Sequence, residues 1–121
     1  MKKEIFIGSN SDLIVDQIGK ELTSIHREIQ IRIVKDLSAL PQLADGQLVI
    51  IDLSVYTTGI IDRIKNFKKE FPHIELIAVT YTNDEQIDQM LMHRGFDQVA
   101  NREELPSIVL KYLNSQLELS S

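Results

Sequence analysis

One aspartate stands where a buried strand is predicted to end, and it is the residue of this chain best placed for chemistry. Asp52 follows the apolar run 48–51, which has Gly46 before it and a polar loop after it. An uninterrupted apolar run between turn signals is typical of a strand buried on both faces of a parallel sheet. Open α/β sheets carry their functional groups at the carboxyl ends of such strands. Asp52 is therefore a candidate reactive or switching group.

Strand and helix patterns alternate along the chain and predict the elements that position this aspartate. Continuous or period-two apolar patterns predict strands at residues 4–7, 28–34, 48–53, 74–80 and 96–100. Apolar residues at helical spacing predict helices after each strand, and Pro41 allows only a short helix between residues 36 and 47. Five such units imply an α/β fold of three layers, a doubly wound parallel five-stranded sheet in the strand order 2-1-3-4-5.

Capping residues predict where the helices begin and end. Ser11 is a candidate N-cap for the first helix, and Gly95 is expected to end the helix that begins near Asn83. Pro106 is expected in the first turn of the last helix, and the chain should fray from Gln116 onward.

Length and composition restrict the class of protein. At 121 residues we expect a single domain over residues 1–121, with an ordered core at about 3–115 and a frayed tail at 116–121. The net charge of −5 argues against binding to nucleic acid or to an anionic membrane. The absence of cysteine excludes disulfides and thiolate metal sites. No apolar run approaches the length of a membrane span, so we expect a cytoplasmic protein.

Three stretches, in order and spacing, resemble the CheY-like receiver domains of response regulators over nearly the whole chain. Residues 48–53 resemble the receiver strand that ends in the phospho-accepting aspartate, and residues 77–80 resemble the next strand. Residues 95–99 resemble the Gly-Ala-Asp-Asp-Tyr run before the last strand. The resemblance implies the flavodoxin-like fold given above, Asp52 as the candidate phospho-acceptor and Thr80 as a switch residue that contacts the phosphoryl group.

The sequence departs from the receiver pattern at the groups that make the aspartate react. Receivers hold Mg²⁺ with the acceptor and two acidic residues after the first strand, where this chain has Gly8 and Ser9, with Asn10 offering a neutral oxygen. One carboxylate organises an octahedral Mg²⁺ poorly. The family lysine after the last strand is also missing, and Arg102 is a substitute cation that could pair with Asp52. We therefore expect a pseudo-receiver without cofactor, metal or enzymatic activity.

Two roles remain open for Asp52. The aspartate could be an acceptor or switch, or it could simply hydrogen-bond local backbone amides at the end of a strand.

The leading hypothesis for the function is bacterial signal transduction through a protein partner or a second copy of the chain, docked on the last two βα units. The candidate contact residues are Gln89, His93, Arg94, Asp97, Arg102, Lys111 and Gln116.

Two alternatives remain for the function. The first is a phosphorylatable receiver with Asp52 as acceptor, altered metal ligation and Mg²⁺ as its cofactor. The second is a domain that binds a small molecule or phosphate at the turn Gly8–Asp12. That turn resembles the phosphate-binding turn of the PurE-type aminoimidazole ribonucleotide mutases, and residues 24–27 resemble their Ser-Ala-His-Arg run.

Overall fold

The structure is a computed structural model that describes residues 3–8, 12–25, 29–34, 48–53, 64–66, 68–81 and 84–120. Five strands are present: β1 (Lys3–Gly8), β2 (Ile29–Val34), β3 (Leu48–Asp52), β4 (Glu75–Thr80) and β5 (Gln98–Asn101). Three helices alternate with them: α1 (Asp12–Ile25), α2 (Glu85–His93) and α3 (Leu105–Ser120). Residues 64–66 and 68–70 are helical as well. The short helix predicted between residues 36 and 47 lies outside the described residues.

The strands form one parallel sheet in the order β2-β1-β3-β4-β5, which confirms the predicted fold class. All five residues of β3 are buried, as expected for a central strand with both faces covered. β2 lies at an edge, and its Gln30 and Arg32 are exposed, which confirms the half-exposed strand predicted from alternation. The order of the strands places the end of β3 between the ends of β1 and β4.

The apolar residues form two cores, one on each face of the sheet. The first core packs α1 and α3 against one face, with Ile18, Leu22 and Val109 fully or almost fully buried. The second core packs α2 and the helical residues 64–66 and 68–70 against the other face, around Val49 and Leu91. Helices on both faces are what a parallel sheet with crossover connections requires.

The last strand begins two residues later than predicted, and the helix predicted to begin near Asn83 begins at Glu85, both for local reasons. The second described helix, α2, begins at Glu85 because Asp84 is its N-cap, with an extended backbone and a carboxylate that accepts from Gln86 N at 2.9 Å. β5 begins at Gln98 because the Phe96 amide still bonds back to Leu91 O at 3.2 Å and closes α2. Gly95 makes this closure possible with φ = 124°, as predicted.

α3 is the longest described helix and continues to Ser120. Pro106 is its second residue, which confirms the predicted first turn. The fraying expected from Gln116 onward stays a prediction. Among the described residues, no helix combines the length and the apolar character needed to cross a bilayer.

Candidate functional site

The carboxyl ends of the strands bring three of the predicted site residues to one edge of the sheet, which we call the carboxyl edge. Gly8 ends β1 and pairs with Ile51, the residue before Asp52. Thr80 ends β4, directly after the register partner of Asp52. Asp52 and Thr80 are both buried, with only 6% of each residue exposed. Ser9 and Asn10 lie outside the described residues.

Tyr81, the first residue after β4, interacts with Asp52, and its hydroxyl is the donor toward that carboxylate. Burial of the hydroxyl, its bond to Asp52 and the negative charge of that carboxylate raise the pKa of Tyr81 well above its ordinary value. The phenol therefore stays protonated at any physiological pH and acts as a permanent donor to the aspartate.

Arg102, the predicted substitute cation, makes an ion pair with α1. Its Nη1 atom donates to Glu21 Oε2 at 2.8 Å, across 81 residues of sequence. Arg102 also lies close enough to Tyr81 for its positive charge to lower the pKa of the phenol, against the larger effects that raise it. The ion pair expected between Arg102 and Asp52 stays a prediction.

Asn101 occupies the end of β5 and caps the turn that leads into α3. Its Oδ1 accepts from Glu104 N at 2.9 Å, and its Nδ2 donates to Glu104 Oε1 at 2.6 Å. This reciprocal pairing is a variant of the capping box, in which two residues three apart satisfy each other. Both polar atoms of the Asn101 side chain therefore bond to Glu104, so Asn101 does not take the place of the lysine that receivers have after the last strand.

The described residues do not assemble a metal site. They contain no group of three His, Asp or Glu side chains placed to hold an ion. At the end of β1, Gly8 offers no side chain at all, and Asp12 is the first residue of α1. At the other end of α1, the Ser24 hydroxyl donates to Glu21 O at 2.7 Å. Ser24, the first residue of the run 24–27 that resembles the mutases, therefore has a local role in the helix.

Comparison with known proteins identifies the fold. No protein-family model matches the sequence, and no curated protein matches it. Solved structures do match: a response regulator from Thermotoga maritima has a TM-score of 0.75 at 12% identity, over 94% of this chain and 99% of its own. A response regulator receiver protein from Pseudoalteromonas atlantica has a TM-score of 0.75 at 15% identity, over 93% and 98%. The chain has the response-regulator receiver fold.

A third structural neighbour is an atypical orphan response regulator. Its TM-score is 0.69 at 11% identity, over 92% of this chain and 95% of its own, and its structure is described as revealing a phosphorylation-independent regulatory mechanism. At identities this low, the structural similarity establishes the receiver fold but not the function. The chemistry of the carboxyl edge has to be inferred from the residues of this chain. Those residues are Asp52, Thr80, Tyr81 and Arg102.

The predicted partner residues of the receiver fold fall into two groups. Four of them are exposed side chains on or next to α2 and α3: Gln89, His93, Arg94 and Lys111. Asp97 and Arg102 are only partly exposed and make ion pairs within the chain. The side chain of Gln116 lies outside the described residues. Two exposed apolar residues of the same helices, Met92 and Leu110, were not among the predicted contact residues; both lie off the apolar stripes of their helices.

Asp97 instead ties three elements together at the opposite, amino edge of the sheet. Its Oδ2 atom accepts from Lys68 Nζ at 2.6 Å and from Leu76 N at 2.8 Å. The same ammonium group donates to Ile74 O at 2.6 Å. One carboxylate thus joins the helical residues 68–70 to β4 and to the start of β5, which is a structural role.

The amino edge also changes the acidity of two neighbouring groups. Burial and the nearby negative charge of Asp97 raise the pKa of Glu75, although Gln98 donates to its carboxylate at 3.2 Å. Burial and the charge of Glu75 raise the pKa of Tyr112, on α3, to about 12. Tyr112 therefore remains neutral and packs against the first core.

Proposed function

We propose that this chain is an atypical receiver domain that acts in bacterial signal transduction by binding a protein partner. In this proposal Asp52 is not phosphorylated by the Mg²⁺-dependent route, and the domain has no cofactor and no enzymatic activity of its own. The observation that carries the proposal is the state of the carboxyl edge. Asp52 is buried and interacts with the Tyr81 hydroxyl. The end of β1 has Gly8 at a position where a metal-binding carboxylate would be needed.

Electrostatics explain why this edge is poorly suited to phosphoryl transfer. An aspartate and an incoming phosphoryl group are both negative, and a Mg²⁺ ion must offset their repulsion in the transition state. Mg²⁺ prefers several hard oxygen ligands in octahedral geometry. Among the described residues, Asp52 is the one carboxylate at the ends of β1, β3 and β4.

A protein partner is favoured by the charge and by the surface of α2 and α3. The net charge of −5 opposes direct binding to nucleic acid. Met92 is 52% exposed on α2, and Leu110 is exposed on α3. Exposed apolar side chains flanked by polar ones, here His93 and Lys111, are typical of protein interfaces. A protein or a second copy of the chain would bury them.

The runner-up function is a phosphorylatable receiver with altered metal ligation. It is favoured by the placement of Asp52 and Thr80, which end adjacent strands as the acceptor and switch residues of receivers do. The two functions differ in whether the carboxyl edge binds Mg²⁺ and a phosphoryl mimic, and that difference can be measured.

The test is an amide NMR titration of the full chain with Mg²⁺, followed by the phosphomimetic beryllofluoride. We expect the amide resonances of Gly8, Asp52 and Thr80 to stay in place, because Asp52 is the one carboxylate that the described residues at the ends of β1, β3 and β4 offer to a metal ion. Saturable shifts of these resonances, lost in Asp52→Asn, would favour the runner-up. A receiver that is activated by beryllofluoride serves as the positive control.

A further inference from the structure

An ion pair joins two parts of the chain that are 81 residues apart in sequence. The Arg102 Nη1 atom donates to Glu21 Oε2 at 2.8 Å. Glu21 lies on α1, whereas Arg102 is the first residue of the turn 102–104 between β5 and α3. The pair therefore fastens this turn to a helix that is remote in sequence.

The two charged groups of the pair differ in their contact with solvent. The side chain of Arg102 is 20% exposed and that of Glu21 is 48% exposed. The pair between Asp16 and Lys20, also on α1, is 60% and 78% exposed. A more enclosed charge depends more on its counterion, because less water is available to replace it. Glu21 is the half of the pair that ions in solution reach most easily.

The apolar core below the pair does not by itself fix the position of the turn. Leu22, next to Glu21, is fully buried in the first core, and so is Leu105, the first residue of α3. Burial of apolar surface is favourable but has no preferred direction. The bond between Glu21 and Arg102 is directional, so it selects one position of the turn relative to α1.

Two backbone amides connect the turn to the first residues of α3. The Glu104 amide donates to Asn101 Oδ1 at 2.9 Å, and the Ile108 amide donates to Glu104 O at 3.1 Å. A turn that moves away from α1 strains both of these bonds. The hydrogen exchange of the two amides therefore reports the opening of the turn.

We propose that the pair of Glu21 and Arg102 is a latch that holds the turn 102–104 against α1 and is loosened by salt. When the pair separates, the turn and the first residues of α3 open while the rest of the sheet stays folded. The inference goes beyond the proposed function, because it concerns how the start of α3 is held and applies whether or not Asp52 is phosphorylated.

The experiment measures amide hydrogen exchange of the full chain by NMR, with rates corrected for the intrinsic exchange of each amide. The reporters are the amides of Glu104 and Ile108. The reference is the Leu53 amide, which donates to Val79 O at 3.0 Å between β3 and β4. The variants are Glu21→Gln, Arg102→Gln and the double variant. Asp16→Asn is the matched control, since it removes the acid of the exposed pair on the same helix.

We expect the reporter amides of the wild type to exchange faster than the reference, at rates that hardly change in dilute urea, as in a local opening. Glu21→Gln should raise their rates roughly two- to fivefold, the range of a partly exposed ion pair. Arg102→Gln should have the same effect, and the double variant should add little to either, because both substitutions remove one interaction. Asp16→Asn should leave the reporter rates within about 1.5-fold of the wild type.

Salt provides a second readout on the same samples. Raising the ionic strength from about 0.1 to about 1 M shortens the screening length from about 10 to about 3 Å and weakens an exposed ion pair. The reporter amides of the wild type should then exchange faster, whereas those of Glu21→Gln should not respond. Circular dichroism checks that each variant is folded.

Three results would overturn the inference. The first is unchanged reporter exchange in folded Glu21→Gln, and the second is additive effects of the two single substitutions. The third is reporter exchange in the wild type that matches the reference in rate and in urea dependence, which would mean that the turn opens only on global unfolding. None of these results bears on phosphorylation of Asp52, so the inference and the proposed function can fail separately.

Discussion

Asp97→Ala is expected to lower the free energy of unfolding by about 2–3 kcal/mol. The substitution leaves the Leu76 amide, at the amino edge of the sheet, without its acceptor, at a cost of about 1–3 kcal/mol. It also leaves the Lys68 ammonium without its counterion in a partly buried position, which adds about 0.5–1 kcal/mol. Urea unfolding followed by circular dichroism measures the loss.

Asp16→Ala is the matched control, since it removes an aspartate that pairs with Lys20 on the exposed face of α1. An exposed pair four residues apart on a helix contributes only about 0.3–0.5 kcal/mol. Asp97→Asn should fall between the two, because its amide oxygen can still accept from Leu76 N. Equal losses in Asp97→Ala and Asp16→Ala would show that Asp97 does not join β4 to the helical residues 68–70.

Leu22→Ala is expected to be the more damaging of two leucine substitutions on α1. Leu22 is fully buried in the first core, and its truncation should cost about 3–4 kcal/mol in transfer and cavity terms. Leu13 is 67% exposed on the same helix, so Leu13→Ala should change the free energy of unfolding by less than about 0.5 kcal/mol. Thermal unfolding of the two variants gives the comparison.

This pair of variants also tests how α1 is oriented. In the structure Leu22 packs in the first core, and its neighbour Glu21 pairs with Arg102. Similar losses for the two leucines, or a larger loss for Leu13→Ala, would mean that α1 packs through another face. The ion pair between Glu21 and Arg102 would then be absent as well.

The fold could be predicted from the sequence because its signals are local. The continuous apolar run of β3 and the alternating pattern of β2 each imply a burial state without knowledge of the partners. Alternation of strands with helices then leaves few topologies for a parallel sheet. The boundary error, at the start of β5, arose where the helix closure at Phe96 depends on a single backbone contact.

The side-chain contacts of the site could not be predicted in the same way, because they join distant parts of the chain. Asp97 meets Lys68 across 29 residues, and Arg102 meets Glu21 across 81. Sequence patterns alone make such residues resemble exposed charges available to a partner. Tyr81 shows the same problem, since its interaction with Asp52 depends on the register of β3 and β4.

We propose that Asp52 lies at the acceptor position of a receiver fold without accepting a phosphoryl group. Its most direct test is the intact mass of the wild-type chain after incubation with acetyl phosphate and Mg²⁺, beside a phosphorylatable receiver as positive control. We expect an unchanged mass, because Mg²⁺ requires several oxygen ligands and Asp52 is the one carboxylate among the described residues at the ends of β1, β3 and β4. A gain of one phosphoryl group that disappears in Asp52→Asn would contradict it.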